Sequence, residues 1–380
     1  MNRIRAARNL LPTRRGFLRG TLLLIAPLAL SFVPVPVAAW ARLPGDSGGP
    51  RIDVRDKGAL GDGRHDDTAA IQAAIDALPA SGGTVSIPDG NYMVDALRSI
   101  NLRSNTRLQM TPAATLRAIA NDSTHSYVIK VWRADNVQII GGRVVGERDG
   151  HLGTTGEWGF GISIQASNNV SVIGTHISDC WGDGIWIGGL GKHASVVVST
   201  GVTLDHVVST NNRRQALSIG PVRGVRVIHS TFSNTHGTKP QDGIDIEPQG
   251  QGPASDIVFS DCTITGNLGS GLELSKNVSG VVLKHCRVQG NSGYGVLARD
   301  TSQLTIADNV ITDNGLTGVM MRATASDVSI TGNTLTGNSA RYLRRFISSI
   351  SSLRAGDRTL NLRVDQDARN VTVSGNKFQP

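Results

Sequence analysis

A short phrase recurs through the middle of this chain: a small residue, usually glycine, followed by apolar residues that alternate with variable ones. Its copies are at 161–164, 184–187, 216–219, 243–246 and 271–274. A second phrase, such as Val-Ser-Val-Ile-Gly-Thr at 170–175, recurs in step with the first. Repeated segments with a period of two predict a β-solenoid, in which equivalent residues of successive coils stack into ladders.

The spacing of the second phrase gives the size of one coil. Its last residue recurs at intervals of 33, 32, 23, 32, 24, 23, 24 and 43 residues, so a bare coil takes 23 or 24 residues. These register positions are Gly142, Thr175, Val207, Ser230, Cys262, Cys286, Asn309, Asn333 and Asn376. Since adjacent coils lie about 4.8 Å apart, we predict an asparagine ladder at the last three positions. We also predict that Cys262 and Cys286 pack side by side as reduced core residues.

The longer coils carry their extra residues beside the strands of the first phrase. The added segments are 147–158, 188–200, 235–241 and 249–255. Loops that rise on both sides of one sheet form a cleft, and functional groups collect on loops held by a rigid scaffold. We therefore predict the functional site on the sheet that the first phrase forms.

The two ends of the chain differ from the repeats. Residues 1–41 carry a twin-arginine phrase (13–19), an apolar run (21–32) and a small-residue site (39–41), which predicts an export signal. Residues 42–380 are predicted to form a single domain, with repeats over about 107–340 and an irregular cover over 341–380. An amphipathic helix over 69–78, N-capped by an aspartate, is predicted to close the first coil.

The positive charge of the chain does not indicate a nucleic-acid partner. The formal net charge is +8, but the export segment holds six arginines and no acid, and residues 341–369 hold seven arginines against three aspartates. The body between them is slightly acidic, so the basic isoelectric point carries no such evidence. The apolar run at 21–32 is too short to span a membrane, so no stable anchor is predicted. The expected location is the periplasm or the exterior of a bacterial cell.

The segment 53–92 resembles the N-terminal signature of the pectate-lyase-like superfamily. The resemblance lies in Gly-Ala-Leu-Gly-Asp-Gly-Arg-His-Asp-Asp-Thr (58–68) and in Gly-Gly-Thr-Val-Ser-Ile-Pro-Asp-Gly-Asn-Tyr (82–92). This superfamily includes family 28 polygalacturonases, phage tailspike enzymes and mannuronan C5-epimerase modules. The resemblance implies an all-β fold, a right-handed parallel β-helix over roughly 51–340, that acts on a polysaccharide.

The segment 242–249, Asp-Gly-Ile-Asp-Ile-Glu-Pro-Gln, is similar to motifs of two enzyme groups. In the epimerase motif Tyr-Gly-Phe-Asp-Pro-His, Asp245 matches the aspartate, while Asp242 replaces the tyrosine and Glu247 the histidine. The segment also resembles the Asn-Thr-Asp strand of polygalacturonases. Their Gly-His-Gly motif is replaced here by Gly-Ser-Gly (269–271) and Gly-Tyr-Gly (293–295).

Four carboxylates are predicted to converge within two coils of the same sheet. The outward column Ser163, Trp186, Ser218, Asp245, Glu273, Leu297 and Met320 follows from the repeat register. Glu247 lies two residues after Asp245 and faces the same way, and Asp242 lies at the turn before that strand. Clustered acids must share protons, bind a cation or meet cationic side chains. We predict that the catalytic residues are Asp242, Asp245, Glu247 and Glu273.

Three functions are compatible with this cluster. The first is lyase or C5-epimerase chemistry on a uronic-acid polysaccharide, in which a base removes the C5 proton. The second is glycoside hydrolysis by paired carboxylates, and the third is carbohydrate binding without chemistry. No cofactor is required, although Asp245, Glu247 and Glu273 could hold Ca²⁺. The candidate bases are His236, Lys239, Lys276, Tyr294 and Arg299.

Aromatic and charged residues near the cluster are predicted to bind the substrate. Sugar rings stack on exposed aromatic faces, and an arginine can bind a uronate carboxylate through two hydrogen bonds. The predicted substrate-binding residues are Trp158, Trp181, Asp183, Trp186, Arg213, Arg214, His236, Lys239, Tyr294 and Arg299.

Overall fold

The computed structural model describes residues 49–191, 195–248, 251–322, 324–339 and 358–379. Nearly every turn of the chain contributes one short strand to each of three parallel sheets. The first sheet contains β1 (Arg51–Asp53), β3 (Gly83–Ile87), β6 (Thr106–Met110), β9 (Asp135–Ile140), β12 (Asn168–Ile173), β15 (Ser199–Asp205), β18 (Val222–Ile228), β21 (Ala254–Ser260), β24 (Val278–Lys284), β27 (Ser302–Ala307), β30 (Ser326–Thr331) and β33 (Arg369–Ser374).

The other two sheets repeat this order. The second contains β2 (Asp62–Asp66), β4 (Gly90–Val94), β7 (Ala114–Ala118), β10 (Arg143–Val145), β13 (His176–Ser178), β16 (Val208–Thr210), β19 (Thr231–Ser233), β22 (Thr263–Thr265), β25 (Arg287–Gln289), β28 (Val310–Thr312), β31 (Thr334–Thr336) and β34 (Lys377–Gln379). The third contains β5 (Ile100–Leu102), β8 (His125–Trp132), β11 (Trp158–Gln165), β14 (Asp183–Gly188), β17 (Gln215–Ile219), β20 (Ile244–Ile246), β23 (Leu272–Leu274), β26 (Val296–Arg299), β29 (Val319–Arg322) and β32 (Leu362–Val364).

The predicted right-handed parallel β-helix is confirmed. The sequence repeats correspond to strands of the first and third sheets, and the strand pairs keep the predicted register. Alternate residues of each strand point inward, where Val, Ile and Leu side chains of all three sheets form one continuous core. The side chains left outside the core on the third sheet are therefore aligned in columns that cross the coils.

Two asparagine ladders that lie largely in the interior run through the turns of the described residues. The predicted one is present: Asn309 Nδ2 donates to Asn333 Oδ1, and Asn333 Nδ2 donates to Asn376 Oδ1, both at 2.9 Å. The second ladder lies between the second and third sheets, at Asn267, Asn291, Asn314, Asn338 and Asn361. Each buried amide also bonds backbone groups of neighbouring coils, so the turns are satisfied without water.

The N-terminal end is closed by α1 (Thr68–Asp76), a helix shorter than the predicted one. Its buried residues include Ile71 and Ile75, and it packs beside β5, the terminal strand of the third sheet. Asp67 occupies the N-cap position, but its carboxylate accepts from the Leu60 and Gly61 amides instead of capping the helix. It therefore holds the preceding loop against α1.

The strands extend at both ends beyond the repeats predicted over about 107–340, and their start at residue 51 agrees with the β-helix limit that the resemblance implied. Strands of the first two sheets begin at residues 51 and 62, because a helix and irregular loops separate these early strands and hide the repeat spacing. At the other end, α2 (Arg358–Asn361) leads into β32, β33 and β34, which continue all three sheets. The prediction of an irregular cover up to residue 380 was wrong for 362–379. Residues 341–357 of that cover, and the export signal, lie outside the described residues.

Cys262 and Cys286 are buried and free, and the Cys262 amide donates to Cys286 Sγ at 3.4 Å. This is the side-by-side arrangement that the repeat register predicts. The described residues all lie in one compact unit. Among them, no helix combines the length and apolar character that a membrane crossing requires.

Candidate functional site

The four predicted acids come together on the third sheet. Asp245 pairs in register with Ser218 on one side and with Glu273 on the other. Asp245 points outward from its strand, yet only 5% of it is exposed, and Gln215 Nε2 donates to its Oδ2. Asp242 is buried at the turn before β20, and Glu247 and Glu273 are half-buried. These carboxyls are therefore shielded from water, unlike acids on an ordinary solvated strand.

Burial raises the pKa of several carboxyls in this cluster. It raises the pKa of Asp242 to about 7, with a further contribution from the negative charge of Glu273. The pKa of Asp245 is raised well above its ordinary value by burial and by the nearby Asp242 and Glu247. Burial also raises the pKa of Glu273, against the opposing effect of Arg299. The cluster thus retains a proton near neutral pH, which is what a general acid requires.

One oxygen of Asp242 has no hydrogen-bond partner. Its Oδ1 accepts from the Ser270 amide at 2.5 Å, whereas Oδ2 is buried and unpaired. Gly269 must remain a glycine for this contact, since a Cβ there would lie 2.2 Å from Asp242 Oδ1. A buried oxygen without a partner favours protonation, in agreement with the raised pKa.

A hydrogen-bonded chain connects the acids to the coil before them. Gln215 Nε2 donates to Asp245 Oδ2, and the Ser218 hydroxyl contacts both Gln215 and Asp183. Arg214 Nη1 donates to Asp183 at 2.8 Å, and burial raises the pKa of Asp183 to about 6 despite this arginine. Side chains held on both sides by such bonds are fixed in orientation, as a site for chemistry requires.

An open cleft of about 390 Å³ lies over this network. Asp245, Glu247 and Arg214 line one end, and aromatic side chains line the other. The inserted loop after β14 contributes residues 189–191 to a wall, and Gln251 comes from the loop after β20. The predicted cleft between inserted loops on the third sheet is therefore present.

The aromatic end of the cleft contains two predicted residues and several that we did not predict. Trp186 stacks on Phe160, with ring centroids 5.8 Å apart, and Trp158 stacks on His125 at 4.5 Å. Trp158 remains 41% exposed, so one face is free for a sugar ring. Tyr127 pairs in register with Phe160. Of the residues missed from the sequence, His125 and Tyr127 would have been found by extending the register one coil upstream, whereas Phe160 lies on the same strand as Trp158.

Lys130 is a further group that the sequence analysis missed. It occupies the outward column next to Ser163, and its Nζ lies 4.8 Å from the Tyr127 ring centroid and 4.9 Å from that of Trp132. Burial lowers the pKa of Lys130. The aromatic end of the cleft therefore has a cation beside it.

Three predicted substrate-binding residues, Trp181, Arg213 and His236, contact other residues of the loops and turns. Trp181 stacks against His151 at 3.8 Å and against the Arg213 guanidinium at 3.7 Å, so its ring faces are covered. Arg213 Nη1 donates to the backbone oxygens of Gly156 and Trp181. His236 Nδ1 lies 2.8 Å from the Asn234 oxygen. A stacking role for Trp181 and bidentate carboxylate binding by Arg213 do not fit these contacts.

A second groove follows the acids along the third sheet. It is lined by three arginines, two aspartates and a methionine: Arg299, Arg322, Arg363, Asp300, Asp365 and Met320. Arg299 pairs in register with Arg322, and Met320 with Arg363. Arg299 Nη1 lies 3.2 Å from Glu273 Oε1, and Arg322 Nη2 donates to the Tyr294 hydroxyl at 2.8 Å. Lys239, which was also predicted to bind substrate, is exposed on the loop before β20. The sequence register already aligned Arg322 with Arg299, but Arg363 lay beyond the predicted repeats.

The proposed calcium ligands are less close together than a metal site requires. Among the residues that the structure describes, the group whose ligand atoms all lie within 4.8 Å of one another is Asp205, His206 and His229. Asp245, Glu247 and Glu273 do not form such a group. Calcium binding by these acids stays a prediction. It would require the bound ion to draw the three carboxylates closer together.

The fold and the cleft define a class of protein, and two family models agree with it. A rhamnogalacturonase A/epimerase, pectate-lyase-like model matches residues 51–142, and a right-handed β-helix model matches residues 238–379. The resemblance predicted from the sequence is confirmed over these segments, and the whole of the described chain has the right-handed parallel β-helix that it implied.

Individual relatives match either a large part of this chain at low identity or a short segment at high identity. The uncharacterised protein YclG of Bacillus subtilis is 28% identical over 75% of this chain, which spans only 55% of that relative. Mannuronan C5-epimerase AlgE3 of Azotobacter vinelandii is 66% identical over 44 residues, 11% of this chain and 2% of the epimerase.

Two solved structures share the fold over most of the chain. The A-module of A. vinelandii mannuronan C-5 epimerase AlgE6 has a TM-score of 0.67 and 22% identity, and covers 86% of both chains. PfbA, a surface adhesin of Streptococcus pneumoniae, has a TM-score of 0.65 and 18% identity, and covers 86% of this chain and 84% of its own.

Proposed function

We propose that this protein is exported and acts on a polysaccharide that lies along the third sheet. The observation that carries the proposal is a cleft lined by the buried, proton-retaining carboxyl of Asp245 and by aromatic rings, of which that of Trp158 is 41% exposed. Aromatic faces hold sugar rings, and a shielded carboxyl with a raised pKa donates a proton. The relation to pectate-lyase-like proteins and to mannuronan C5-epimerases supports the carbohydrate class.

For the reaction, we propose attack at C5 of a uronic acid, as a lyase or an epimerase. Protonated Asp245 would act as a general acid that transfers its proton to the substrate carboxylate, and Arg214, which lines the same cleft, would partly neutralise the negative charge of that carboxylate. Both effects acidify the C5 proton. Glu247 lies at the same end of the cleft and is the candidate base. If the O4 substituent then leaves as an alcohol, carrying the proton that Glu247 took from C5, a lyase product forms. If water instead gives a proton to the opposite face of C5, an epimer forms.

Basic residues flank the acids on both sides along the sheet. Lys130 lies four strands before Asp245, and Arg322 lies three strands after it. At about 4.8 Å per coil, these distances are roughly 19 and 14 Å. A chain of uronic acids has a carboxylate on each sugar, so it would meet cations at both ends of the cleft. This charge pattern supports an acidic rather than a neutral polysaccharide.

Hydrolysis is the second candidate, supported by Asp245 and Glu273 at paired positions of adjacent strands. Two carboxyls at such spacing can serve as acid and as nucleophile or base. The same residues would then act on a glycosidic bond without C5 proton removal.

One assay separates these candidates. The protein is incubated with pectate, alginate and bacterial exopolysaccharides, and three products are followed. A rise in absorbance near 235 nm (roughly, from the unsaturated uronate) indicates a lyase. New reducing ends without that absorbance indicate a hydrolase, and a changed uronate composition by NMR indicates an epimerase. Binding without any turnover, measured on the same panel, would contradict the enzymatic proposal and favour an adhesin-like carbohydrate-binding solenoid.

A further inference from the structure

The corner between the first and second sheets carries a ladder that the cleft does not use. His206, His229, Asp261, His285 and Asp308 occupy equivalent turn positions on five successive coils. All five have the left-handed backbone conformation, with φ between 50° and 56°. Their side chains are exposed, and the strand pairing spaces them about 4.8 Å apart. This corner does not border the third sheet, so the ladder is independent of the proposed function.

We propose that Asp205, His206 and His229 form a binding site for a divalent transition metal, with Zn²⁺ as the expected ion. His206 Nδ1 lies 2.6 Å from Asp205 Oδ1, and His229 Nδ1 lies 3.2 Å from the same oxygen. The two imidazole rings are 4.7 Å apart. One ligand atom from each residue lies within 4.8 Å of the other two.

The ligand chemistry selects the kind of ion. Two imidazole nitrogens and one carboxylate oxygen suit zinc, whereas calcium prefers oxygen ligands throughout. A tetrahedral zinc ion with bonds of about 2.0–2.1 Å places neighbouring ligand atoms about 3.3 Å apart. The present separations of 2.6 and 3.2 Å are close to that value, so small side-chain rotations are enough. Metal binding would replace protons at both Nδ1 atoms, and water would complete the coordination.

The ion would connect two coils. Asp205 ends β15, His206 follows it, and His229 follows β18 on the adjacent coil. These positions are fixed by the strand ladders, so little conformational entropy is lost when the ion binds. The ligand histidines are 23 residues apart, one solenoid repeat, and this is why no ordinary zinc spacing shows in the sequence.

His285 is the matched control on the same ladder. Its Nδ1 lies 3.9 Å from Asp261 Oδ1, while its other nitrogen, Nε2, lies 3.9 Å from Asp308 Oδ2. The two carboxylates therefore contact opposite sides of the ring and cannot share one ion with it. Each single variant removes one histidine. The three histidines are all exposed and have the same left-handed backbone conformation.

The test uses the untagged chain, stripped of metal with a chelator and titrated with ZnCl₂ in a calorimeter. We expect one Zn²⁺ per chain, with affinity at least tenfold weaker in His206→Gln and in His229→Gln and unchanged in His285→Gln. Titration with Co²⁺ should give the visible absorption of a tetrahedral site in the wild type and in His285→Gln only. Because both ligand histidines are exposed, circular dichroism should show the same fold in all variants.

Three results would overturn the proposal. The first is a wild-type chain that binds no Zn²⁺. The second is an equal loss of affinity in His285→Gln, which would mean diffuse binding to the ladder. The third is unchanged affinity and an unchanged cobalt spectrum in the His206→Gln/His229→Gln double variant, which would place the ion elsewhere.

Discussion

Asp245 belongs to a strand whose alternate side chains point away from the core, yet only 5% of it is exposed. Its carboxyl is held by Gln215 and approached by Glu247 and Asp242. A protonated acid in a fixed orientation is the feature that distinguishes this position from other outward residues of the sheet.

Replacing Asp245 with asparagine should abolish turnover. The substitution keeps the size of the side chain but removes the proton donor, and a lost general acid costs about 10²–10⁴-fold in rate. The measurement is kcat on the substrate that the assay panel identifies. Asp135→Asn, at an exposed position of the first sheet, is the control and should retain the wild-type rate. Near wild-type kcat in Asp245→Asn would remove this residue from the mechanism.

Asp242 should make the protein less stable as the pH rises. Its pKa is raised from 3.8 to about 7, so between these values the folded chain keeps a proton that the unfolded chain has lost. The free energy of unfolding then falls as pH rises from about 4 to about 7. Asp242→Asn should therefore be more stable than the wild type at about pH 8 and nearly equal to it at about pH 4.

Urea unfolding at the two pH values measures this difference. Asp149→Asn is the matched control, since the Asp149 side chain is 88% exposed, and it should follow the wild type at both pH values. An Asp242→Asn variant that is no more stable than the wild type at the higher pH would contradict the assigned protonation.

At the scale of strands and turns, the coils are joined by ladders as well as by sheets. Asn309 Nδ2 donates to the Leu283 oxygen and to Asn333, and its Oδ1 accepts from the Cys286 amide. These groups lie in the interior, where water cannot replace a missing partner. The polar turns of the solenoid therefore depend on buried amides.

Asn309→Ala should lower the free energy of unfolding by about 3 kcal/mol, because each buried group left unpaired costs about 1–3 kcal/mol. The Cys286 amide and the Leu283 oxygen are the groups concerned. Asn168→Ala is the comparison, since Asn168 is exposed and water can replace its hydrogen bonds. Equal urea midpoints for the two variants would show that the ladder contributes nothing specific.

The groove of β26, β29 and β32 should bind the acidic substrate. If Arg322 contacts a uronate carboxylate, Arg322→Ala should raise KM about tenfold, the equivalent of about 1.4 kcal/mol, with kcat nearly unchanged. Arg223→Ala, an exposed arginine of the first sheet, should leave KM as it is. An unchanged KM for Arg322→Ala, or an equal rise for both variants, would rule out a specific subsite.

For the whole molecule, the open end of the solenoid must be covered. A coil without a neighbour exposes apolar core and unpaired strand edges, which favour association with other chains. At the N-terminal end α1 provides the cover, with Ile71, Ala74 and Ile75 fully buried.

Ile75→Ala should destabilise the protein by about 2–5 kcal/mol, the usual cost of truncating a buried isoleucine. We also expect the variant to form higher oligomers on gel filtration, because the first coil becomes accessible. Asp76→Ala changes the next residue of the same helix, on its exposed face, and should remain as stable and as monodisperse as the wild type. If both variants behave alike, α1 is not the cover that we infer.

The repeat pattern by itself determined the fold and its register. Inward apolar residues recur at every coil, and only one alignment of strands buries all of them, so a shift by one residue would expose the core. For this reason the register of Cys262, Cys286 and Asn309, and the pairing of Ser218, Asp245 and Glu273, followed from the spacing alone. The same arithmetic would have found the second asparagine ladder and the cleft residue Tyr127.

Only the tertiary structure decided how exposed each outward residue is and what it contacts. The sequence gives no reason to treat Trp158 and Trp181 differently. In the structure, His151 and Arg213 cover the ring of Trp181, whereas the ring of Trp158 is partly open to the cleft. The burial that raises the pKa of Asp242 accompanies close packing against Gly269 and Ser270 of the next coil, and the repeat spacing does not specify how close that packing is. Periodicity specifies the strands because packing repeats with them, whereas the contacts of inserted loops depend on residues that occur once.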